Sequence, residues 1–253
     1  MKFILGSRIR LLALGCLLSL VVPLATLGQH LETVGGAVSF NVTQTRVTPL
    51  SIDLGSYTLL TGKDASRDDD VGYRLAVYGR WQIAQSHFFV QPELGYTSSR
   101  GQTYFLTHYR LPSSLGPDVE IFSHSLHRWE LAALAGLHTG RHTYVLAGPV
   151  LAFNRRESIE VNPQYPITAV YSSLYQSVEP VELLGQVGVG VTFGRFDFNL
   201  RIEQSLTPYT RRFTFDGGTY GYRQQIRQGL FTAGILLYKA KPQPAAGREQ
   251  PPY

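Results

Sequence analysis

The chain has almost no sulfur: its single cysteine is Cys16 and its single methionine is Met1. Both lie in the first 28 residues, where Lys2 and Arg8 precede an apolar run, a pattern typical of a cleaved secretory signal peptide. We therefore expect residues 1–28 to be removed. The remaining residues contain no thiol, which excludes a disulfide framework, a thiolate metal site and a cysteine nucleophile.

The chain also lacks a strong excess of one charge once this leader is set aside. The whole sequence carries a net charge of +5, with 23 basic and 18 acidic residues. Three of the basic residues and none of the acidic ones lie in residues 1–28, so 20 basic residues remain against 18 acidic, a net charge of +2. A nucleic-acid partner is not expected, because such proteins carry a clear basic footprint.

Long apolar runs are missing after residue 28. No later segment approaches the roughly 18 apolar residues that a membrane helix needs, and helical periodicity is absent. Instead Phe196, Phe198 and Leu200 alternate with Asp197 and Asn199. This period of two puts apolar groups on one face of a β-strand and polar groups on the other. The chain is predicted to be all-β.

Eight segments share this alternation or an equivalent apolar character. They are residues 35–45, 71–82, 87–98, 124–138, 142–154, 181–193, 195–206 and 226–239. Short and long connections alternate between them, as in outer-membrane barrels. The prediction is an eight-stranded up-and-down antiparallel transmembrane β-barrel over residues 29–239, with four long extracellular loops and three short periplasmic turns. Residues 240–253, rich in proline, are expected to form a disordered periplasmic tail.

Strand alternation alone also fits a soluble barrel with an apolar cavity, such as a lipocalin. Lysine usage favours the membrane barrel. Soluble barrels cover their outer face and edges with lysine, whereas beyond residue 28 this chain has only Lys63, Lys239 and Lys241. Aromatic residues gather at both ends of the strands, as expected of two interfacial belts. The segment 142–154 is apolar on both faces, so its orientation is not assigned.

The polar face of the strands carries charges of both signs. An eight-stranded barrel has an interior that side chains just fill, so we expect these charges to pair and to plug the lumen; the alternative is a narrow polar pore for small solutes. The predicted inward residues are Arg74, Arg80, Arg128, Arg195, Arg201, Glu93, Glu130, Glu182, Asp197 and Glu203.

Several stretches resemble the PorT-like outer-membrane β-barrel family of Bacteroidetes-type bacteria. They are residues 34–41 (VGGAVSFN), 89–96 (FVQPELGY), 144–153 (YVLAGPVLAF), 188–204 with its RIEQ, and 229–238 (GLFTAGILLY). The resemblance implies a small barrel in the bacterial outer membrane. Because some members belong to a protein-secretion and gliding apparatus, it also implies an envelope or secretion-machinery partner.

The predicted partners also include outer-membrane lipid and lipopolysaccharide, whose phosphates suit arginines at the outer rim. The candidates are Arg211, Arg212, Arg223 and Arg227. Because the motifs of the resemblance specify fold rather than activity, we expect a structural or interaction role carried by the extracellular loops.

Catalytic and metal motifs are weak. Ser123, His124, Ser125 and His127 lie near Glu130 but have no recognised catalytic spacing, so a loop-borne lipid-modifying enzyme ranks third, after the interaction role and the pore. Residues 64, 66, 68 and 70 alternate like the ligands of a calcium loop. However, the sixth position lacks glycine and the twelfth lacks glutamate. No enzyme activity, cofactor or metal is expected.

Overall fold

A computed structural model describes residues 30–53, 55, 57–61, 70–83, 86–109, 118–158, 160–162 and 166–240. The expected signal peptide and, apart from residue 240, the expected tail lie outside the described residues. The elements are β1 (His30–Val47), β2 (Leu50–Asp53), β3 (Tyr57–Thr61), β4 (Asp70–Gln82), β5 (Phe88–Tyr109), β6 (Asp118–His138), β7 (Thr143–Asn154), α1 (Pro166–Gln176), β8 (Val181–Phe193), β9 (Phe196–Ser205), β10 (Phe213–Phe215), β11 (Gly218–Tyr220) and β12 (Gln224–Lys239).

Eight of the strands close into a barrel. Each wall strand pairs antiparallel with the next wall strand along the chain, in the order β1, β4, β5, β6, β7, β8, β9 and β12. The first and last strands complete the circle, with pairs that run from Thr33↔Lys239 to Val47↔Gln224. The predicted eight-stranded up-and-down antiparallel barrel is therefore confirmed, and β8 has the bounds that its alternation predicts.

The second long connection is shorter than expected. Residues 99–123 were predicted to form a loop, but β5 continues to Tyr109 and β6 begins at Asp118. The two strands stay paired up to Thr107↔Asp118, and β3 adds to the same sheet through pairs such as Leu60↔Leu106. Continuous pairing with β6, joined by β4 up to Ser98 and by β3 from Leu106, holds β5 in a strand and overrides the low strand propensity of its glycine and serine residues.

The face assignment of β7 is now clear. Tyr144, Leu146, Val150 and Ala152 point into the barrel and are buried. Both faces of β7 are apolar because one faces outward and the other packs against an apolar sector of the barrel interior, formed with Ala132, Leu134 and Leu184.

The long connections carry their own secondary structure. A β2–β3 hairpin, the helix α1 and a β10–β11 hairpin lie at the end of the barrel where the long connections are. The other end has only short turns, near residues 83–87, 139–142 and 194–195. No helix in the described part of the chain has the length and apolar character needed to cross a membrane.

Two prolines interrupt the wall. Pro92 in β5 and Pro149 in β7 have no backbone N–H to donate, and the β4–β5 and β6–β7 ladders each skip two residue pairs beside them. At Gly148, next to Pro149, the backbone of β6 comes so close that a Cβ would lie 2.2 Å from the Ala133 carbonyl oxygen. Only glycine fits at this position.

We expect Gly148→Ala to lower the free energy of unfolding of the refolded protein by about 1–3 kcal/mol, the usual cost of overpacking. Urea unfolding in detergent micelles, followed by tryptophan fluorescence, measures this change. Gly229→Ala is the matched control, because nothing lies within 4 Å of a Cβ built at Gly229 in β12. Equal stability of the two variants would show that β6 can move away from β7.

Candidate functional site

The barrel interior is filled by side chains, and its upper part, towards the long connections, is organised around Arg128 of β6. Its Nε lies 2.6 Å from Glu130 Oε1, and its Nη2 donates to Glu203 and, at 3.0 Å, to Gln228. Its Nη1 is 3.8 Å from Glu182 Oε2. A single arginine thus contacts carboxylates that come from β6, β8 and β9.

The middle of the interior continues the same chain of contacts. Arg74 of β4 bridges two carboxylates, with Nε 2.6 Å from Glu130 and Nη2 3.2 Å from Glu93. Arg201 of β9 approaches Glu93 from the opposite wall, with its Nη1 at 2.8 Å. Thr97 also donates a 2.7 Å hydrogen bond to Glu130. Continuous ion pairing therefore crosses the barrel from β4 to β9.

The lower part, near the short turns, holds Arg80 between two aromatic rings. Its guanidinium carbon lies 4.6 Å from the Phe89 ring centroid and 4.3 Å from that of Tyr144. Its Nε donates to Gln91 at 2.9 Å, and its Nη2 is 3.6 Å from Asp197 Oδ2. Stacking and ion pairing together hold this charge across the lumen.

Asp197 of β9 is the polar centre of this lower layer. It accepts hydrogen bonds from the hydroxyl groups of Tyr144 at 2.9 Å, Thr192 at 2.8 Å and Tyr78 at 3.2 Å. These donors belong to β7, β8 and β4, so they connect three more wall strands to one carboxylate.

The structure brings nine of the ten predicted inward residues together. Arg74, Arg80 and Arg128 are each 1% exposed, and none of the nine residues is more than 4% exposed. The nine are Arg74, Arg80, Arg128, Arg201, Glu93, Glu130, Glu182, Asp197 and Glu203. The prediction for Arg195 was wrong: it lies in the tight turn beside Gly194, where strand alternation ends, and is exposed.

Neutral partners in the interior were missed by the sequence analysis. Gln91, Gln186, Asn199 and Gln228 supply amide contacts, and Tyr144 supplies a phenol. The signal was available for Gln91, Gln186 and Asn199, which share the inward parity of charged neighbours on their strands, whereas the inward row of β12 gives Gln228 no charged neighbour. The nine charged residues are four arginines and five carboxylates, a formal net charge of −1. The neutral amides supply further donors to these carboxylates, as Gln91 does to Glu93 and Gln186 does to Glu203.

A second hydrophobic core lies outside the barrel, at the end with the long connections. We call it the cap core: it is built from the end of β1, the β2–β3 hairpin, the upper part of β5, α1 and the β10–β11 region. Phe105 is fully buried in it, with ring centroids 6.1 Å from Tyr171 and 6.4 Å from Tyr222. Its buried members are Val47, Leu50, Ile52, Leu59, Phe105, Val170, Leu174, Tyr175, Phe213 and Tyr222.

A smaller apolar cluster lies between this cap core and the filled interior. It consists of Leu126, Val178, Tyr209 and Ile226. Burial, together with the nearby Glu182 carboxylate, raises the pKa of the Tyr209 phenol, so this residue contributes a neutral ring. The end of the barrel with the long connections is therefore covered by packed side chains.

The four candidate lipopolysaccharide contacts are all exposed. Arg227 lies on the outer face of β12, and Arg223 immediately precedes that strand. Arg211 and Arg212 lie between β9 and β10, and Arg211 Nε is 3.8 Å from Glu179 Oε1. The segment before Arg211 lies beside Arg223, since Thr210 Oγ1 donates to the Tyr222 carbonyl oxygen at 3.0 Å and accepts from Gln224 N at 3.0 Å.

Among the described side chains, Ser125 and His127 do not converge with Glu130, although Ser125 N donates to Glu157 Oε2 at 3.3 Å. Ser125 and His127 share the outward parity of β6, and His127 Nδ1 lies 3.3 Å from the Tyr96 hydroxyl. Glu130 is on the opposite, inward face and is fully buried. The side chains of Ser123 and His124 lie outside the described residues. The absence of enzyme activity stays a prediction.

Metal candidates are equally limited. Within the described ranges, no three His, Cys, Asp or Glu side chains are grouped so as to hold a metal ion. Positions 64, 66 and 68 of the calcium-like stretch lie outside the described residues, and Asp70 is a buried residue at the start of β4.

Comparison with known proteins yields structural likeness only. No family model and no curated protein matches the chain, so the PorT-like resemblance stays a prediction. Ail, the attachment invasion locus protein of Yersinia pestis solved with a heparin analogue, matches at 11% identity and TM-score 0.36, over 81% of this chain and 99% of its own. The outer-membrane protein AlkL matches at 12% and 0.38, over 85% and 95%. The Escherichia coli outer-membrane protease OmpT matches at 9% and 0.28, over 83% and 95%.

Arg128→Leu is expected to destabilise the folded protein by about 3–5 kcal/mol, because it leaves Glu130, Glu182 and Glu203 without their shared cation. Urea unfolding in micelles measures the loss. It should be larger at pH 8 than at pH 5, since protonation removes an uncompensated buried charge. Arg195→Leu, the same change at the exposed turn, should stay within about 0.5 kcal/mol of the wild type. Equal losses in both variants would contradict a role for ion pairing.

Proposed function

We propose that the protein is an integral outer-membrane protein whose filled barrel holds a folded extracellular cap, and that the cap carries a structural or interaction role. The observation that carries this proposal is an inside-out distribution of polarity. Arg74, Arg80 and Arg128 are each 1% exposed, whereas Phe40, Leu200 and Phe231 on the outer wall are 52%, 58% and 53% exposed. Such a wall suits lipid rather than water.

The height of the apolar wall supports the same placement. The outward row of β4 runs from Val71 to Trp81, eleven residues. At about 3.3 Å per residue and a strand tilt of roughly 40°, this row spans about 25 Å, the height of the apolar band in outer-membrane barrels. Every outward side chain in this row of β4 is uncharged.

Aromatic residues mark the two edges of this band. Tyr73, Tyr96 and Trp129 lie towards the cap, with the last two rings 5.2 Å apart, and Phe193 and Tyr238 lie near the short turns. Aromatic side chains of this kind favour the membrane–water interface. In outer-membrane barrels the long connections are extracellular and the short turns periplasmic, so the cap would face the outside.

The cap, rather than the lumen, is the part available for recognition. The lumen is occupied by ion pairs and the apolar sector of β6, β7 and β8, and the cap core covers its outer end. Because the cap rests on a rigid barrel, its outer surface is held in a fixed position. We infer that this surface contacts another envelope component, such as a protein of a secretion machinery.

We expect the purified protein to form no stable, uniform channels in planar lipid bilayers, because paired charges fill the lumen. A large porin measured in the same bilayers is the positive control for insertion. The narrow-pore alternative predicts channels of reproducible conductance, and their appearance would contradict the plug.

A photo-crosslinking residue placed at Thr219, exposed in the β10–β11 hairpin, is expected to form a discrete adduct in intact outer membranes. Phe105→Ala should abolish this adduct, because removing a buried aromatic from the cap core costs about 3–5 kcal/mol. Leu106→Ala is the matched control: Leu106 is the next residue on β5 and is 44% exposed, so the adduct should persist.

Two controls make the crosslinking result interpretable. The Phe105→Ala barrel should still resist unfolding in cold detergent, while added protease should cut it only outside the barrel. A crosslinker at Arg141 in a short turn should give no such adduct. No adduct from Thr219, or one that is unchanged in Phe105→Ala, would contradict recognition by the folded cap.

A further inference from the structure

Three arginines cluster on the outer wall where β1 and β12 meet, at the end near the cap. Arg46 of β1 pairs in register with Gln225 of β12, and Arg227 pairs with Gln44. Arg223 extends the same ladder, since Thr48 N donates to its carbonyl oxygen at 2.9 Å. Along β12 the outward row is therefore Arg223, Gln225 and Arg227, with Arg46 beside its middle member.

This register brings the three side chains within reach of one another. Residues two apart on one strand, and diagonal neighbours on paired strands, have Cα atoms about 7–8 Å apart. The long arginine side chains easily span that distance. All three are exposed, so their guanidinium groups can meet on one anionic group.

Arg46, Arg223 and Arg227 lack carboxylate partners, unlike the lumen arginines and Arg211. Those of the lumen are ion-paired, and Arg211 lies beside Glu179. Among the residues that the structure describes, no carboxylate lies within ion-pair distance of Arg46, Arg223 or Arg227. An exposed cluster of like charge without counter-ions is favourable only when an anion joins it.

The wall directly below the cluster is apolar and grooved. On β1, Val42 precedes Arg46 by four residues, and on β12, Phe231 follows Arg227 by four residues. Both apolar side chains therefore lie farther from the cap than the arginines. Between Arg227 and Phe231 stands Gly229, at which a Cβ would meet nothing within 4 Å. This glycine lies in an apolar depression of the outer wall that continues across β9 and β8 to β5–β7, and its part nearest the arginines is lined by Phe40, Val42, Leu200, Ile202, Gly229 and Phe231.

We call the three arginines and the groove below them, where β1 meets β12, the arginine seam. We propose that the arginine seam binds a phosphorylated glycolipid of the outer leaflet, with a phosphate on Arg46, Arg223 and Arg227 and an acyl chain along the groove at Gly229. Charge and shape point to one amphiphile, since the cations stand at headgroup level directly above an apolar groove. Arginine also suits bidentate phosphate contacts. The inference rests on the proposed membrane placement, and it separates Arg223 and Arg227 from Arg211 and Arg212.

The test uses the full-length protein refolded in a neutral detergent, with binding of diphosphorylated and dephosphorylated lipid A measured at equilibrium. The triple variant Arg46→Gln, Arg223→Gln, Arg227→Gln should bind the diphosphorylated lipid about 100-fold more weakly. That figure follows from roughly fivefold per arginine near a membrane surface. Weak binding of the dephosphorylated lipid should not change.

A second triple variant removes the same charge from the same end of the protein. Arg100→Gln, Arg155→Gln, Arg156→Gln changes three other exposed arginines, on or beside β5 and β7, and should bind diphosphorylated lipid A as the wild type does. An equal loss in both triple variants, or no loss in the seam variant, would overturn the proposal. Gly229→Leu, which fills the groove without changing charge, should weaken binding of the same lipid, and unchanged binding would overturn the acyl-chain contact.

Inorganic phosphate separates a lipid site from a general anion site. It should not compete with lipid A at equal concentration, because it lacks the apolar part; effective competition would contradict a lipid ligand. Wild-type insertion into vesicles that resists urea extraction tests the proposed membrane placement independently. Insertion without discrimination between the two triple variants would overturn this site alone, whereas failure to insert would overturn the placement on which it rests.

Discussion

The need to neutralise buried charge governs the whole structure. Four arginines and five carboxylates are enclosed where eight strands leave room only for side chains. An unpaired ion in such a space is very costly, so the wall strands must be in the register that lets Arg128 reach Glu203 and Arg74 reach Glu93. A slip of one residue would turn these groups towards the outer wall. The ion pairs therefore specify strand register as well as filling the interior.

This constraint explains how the interior is divided. The buried charges lie on β4, β5 and β9 and on the parts of β6 and β8 nearer the cap. In contrast, β7 contributes Leu146, Val150 and Ala152 to the interior. The apolar sector needs no partners and packs by size alone, so it can accommodate the two residue pairs that the β6–β7 ladder skips beside Pro149. In the charged sector the ladders between β8, β9 and β12 are uninterrupted, whereas the β4–β5 ladder skips two residue pairs beside Pro92.

The barrel wall was predictable from the sequence because alternation of polarity is a local signal. The parity of Phe196, Asp197 and Phe198 assigns both faces of β9 without knowledge of any neighbour. The missing part depends on contacts between distant residues. Arg195 continues the alternation of β9 in the sequence but lies in the turn that precedes the strand. The inward face of β7 can be identified only from its contact with Leu134 and Leu184. The arginine seam was predictable only in part. Arg223 and Arg227 are near each other in sequence, but Arg46 joins them only when β1 pairs with β12.

The same reasoning separates what holds the protein together from what can interact. Residues of the ion-pair network touch one another across several strands, so a change at any of them is transmitted to the wall. The cap core is different, because Phe105, Leu174 and Phe213 come from connections that meet one another outside the barrel. Its outer surface can vary while the barrel stays intact, as is usual for loops on a rigid scaffold. Closure of β1 on β12 links the two regions, since the strands that complete the barrel also carry Arg46 and Arg227 to its outer rim.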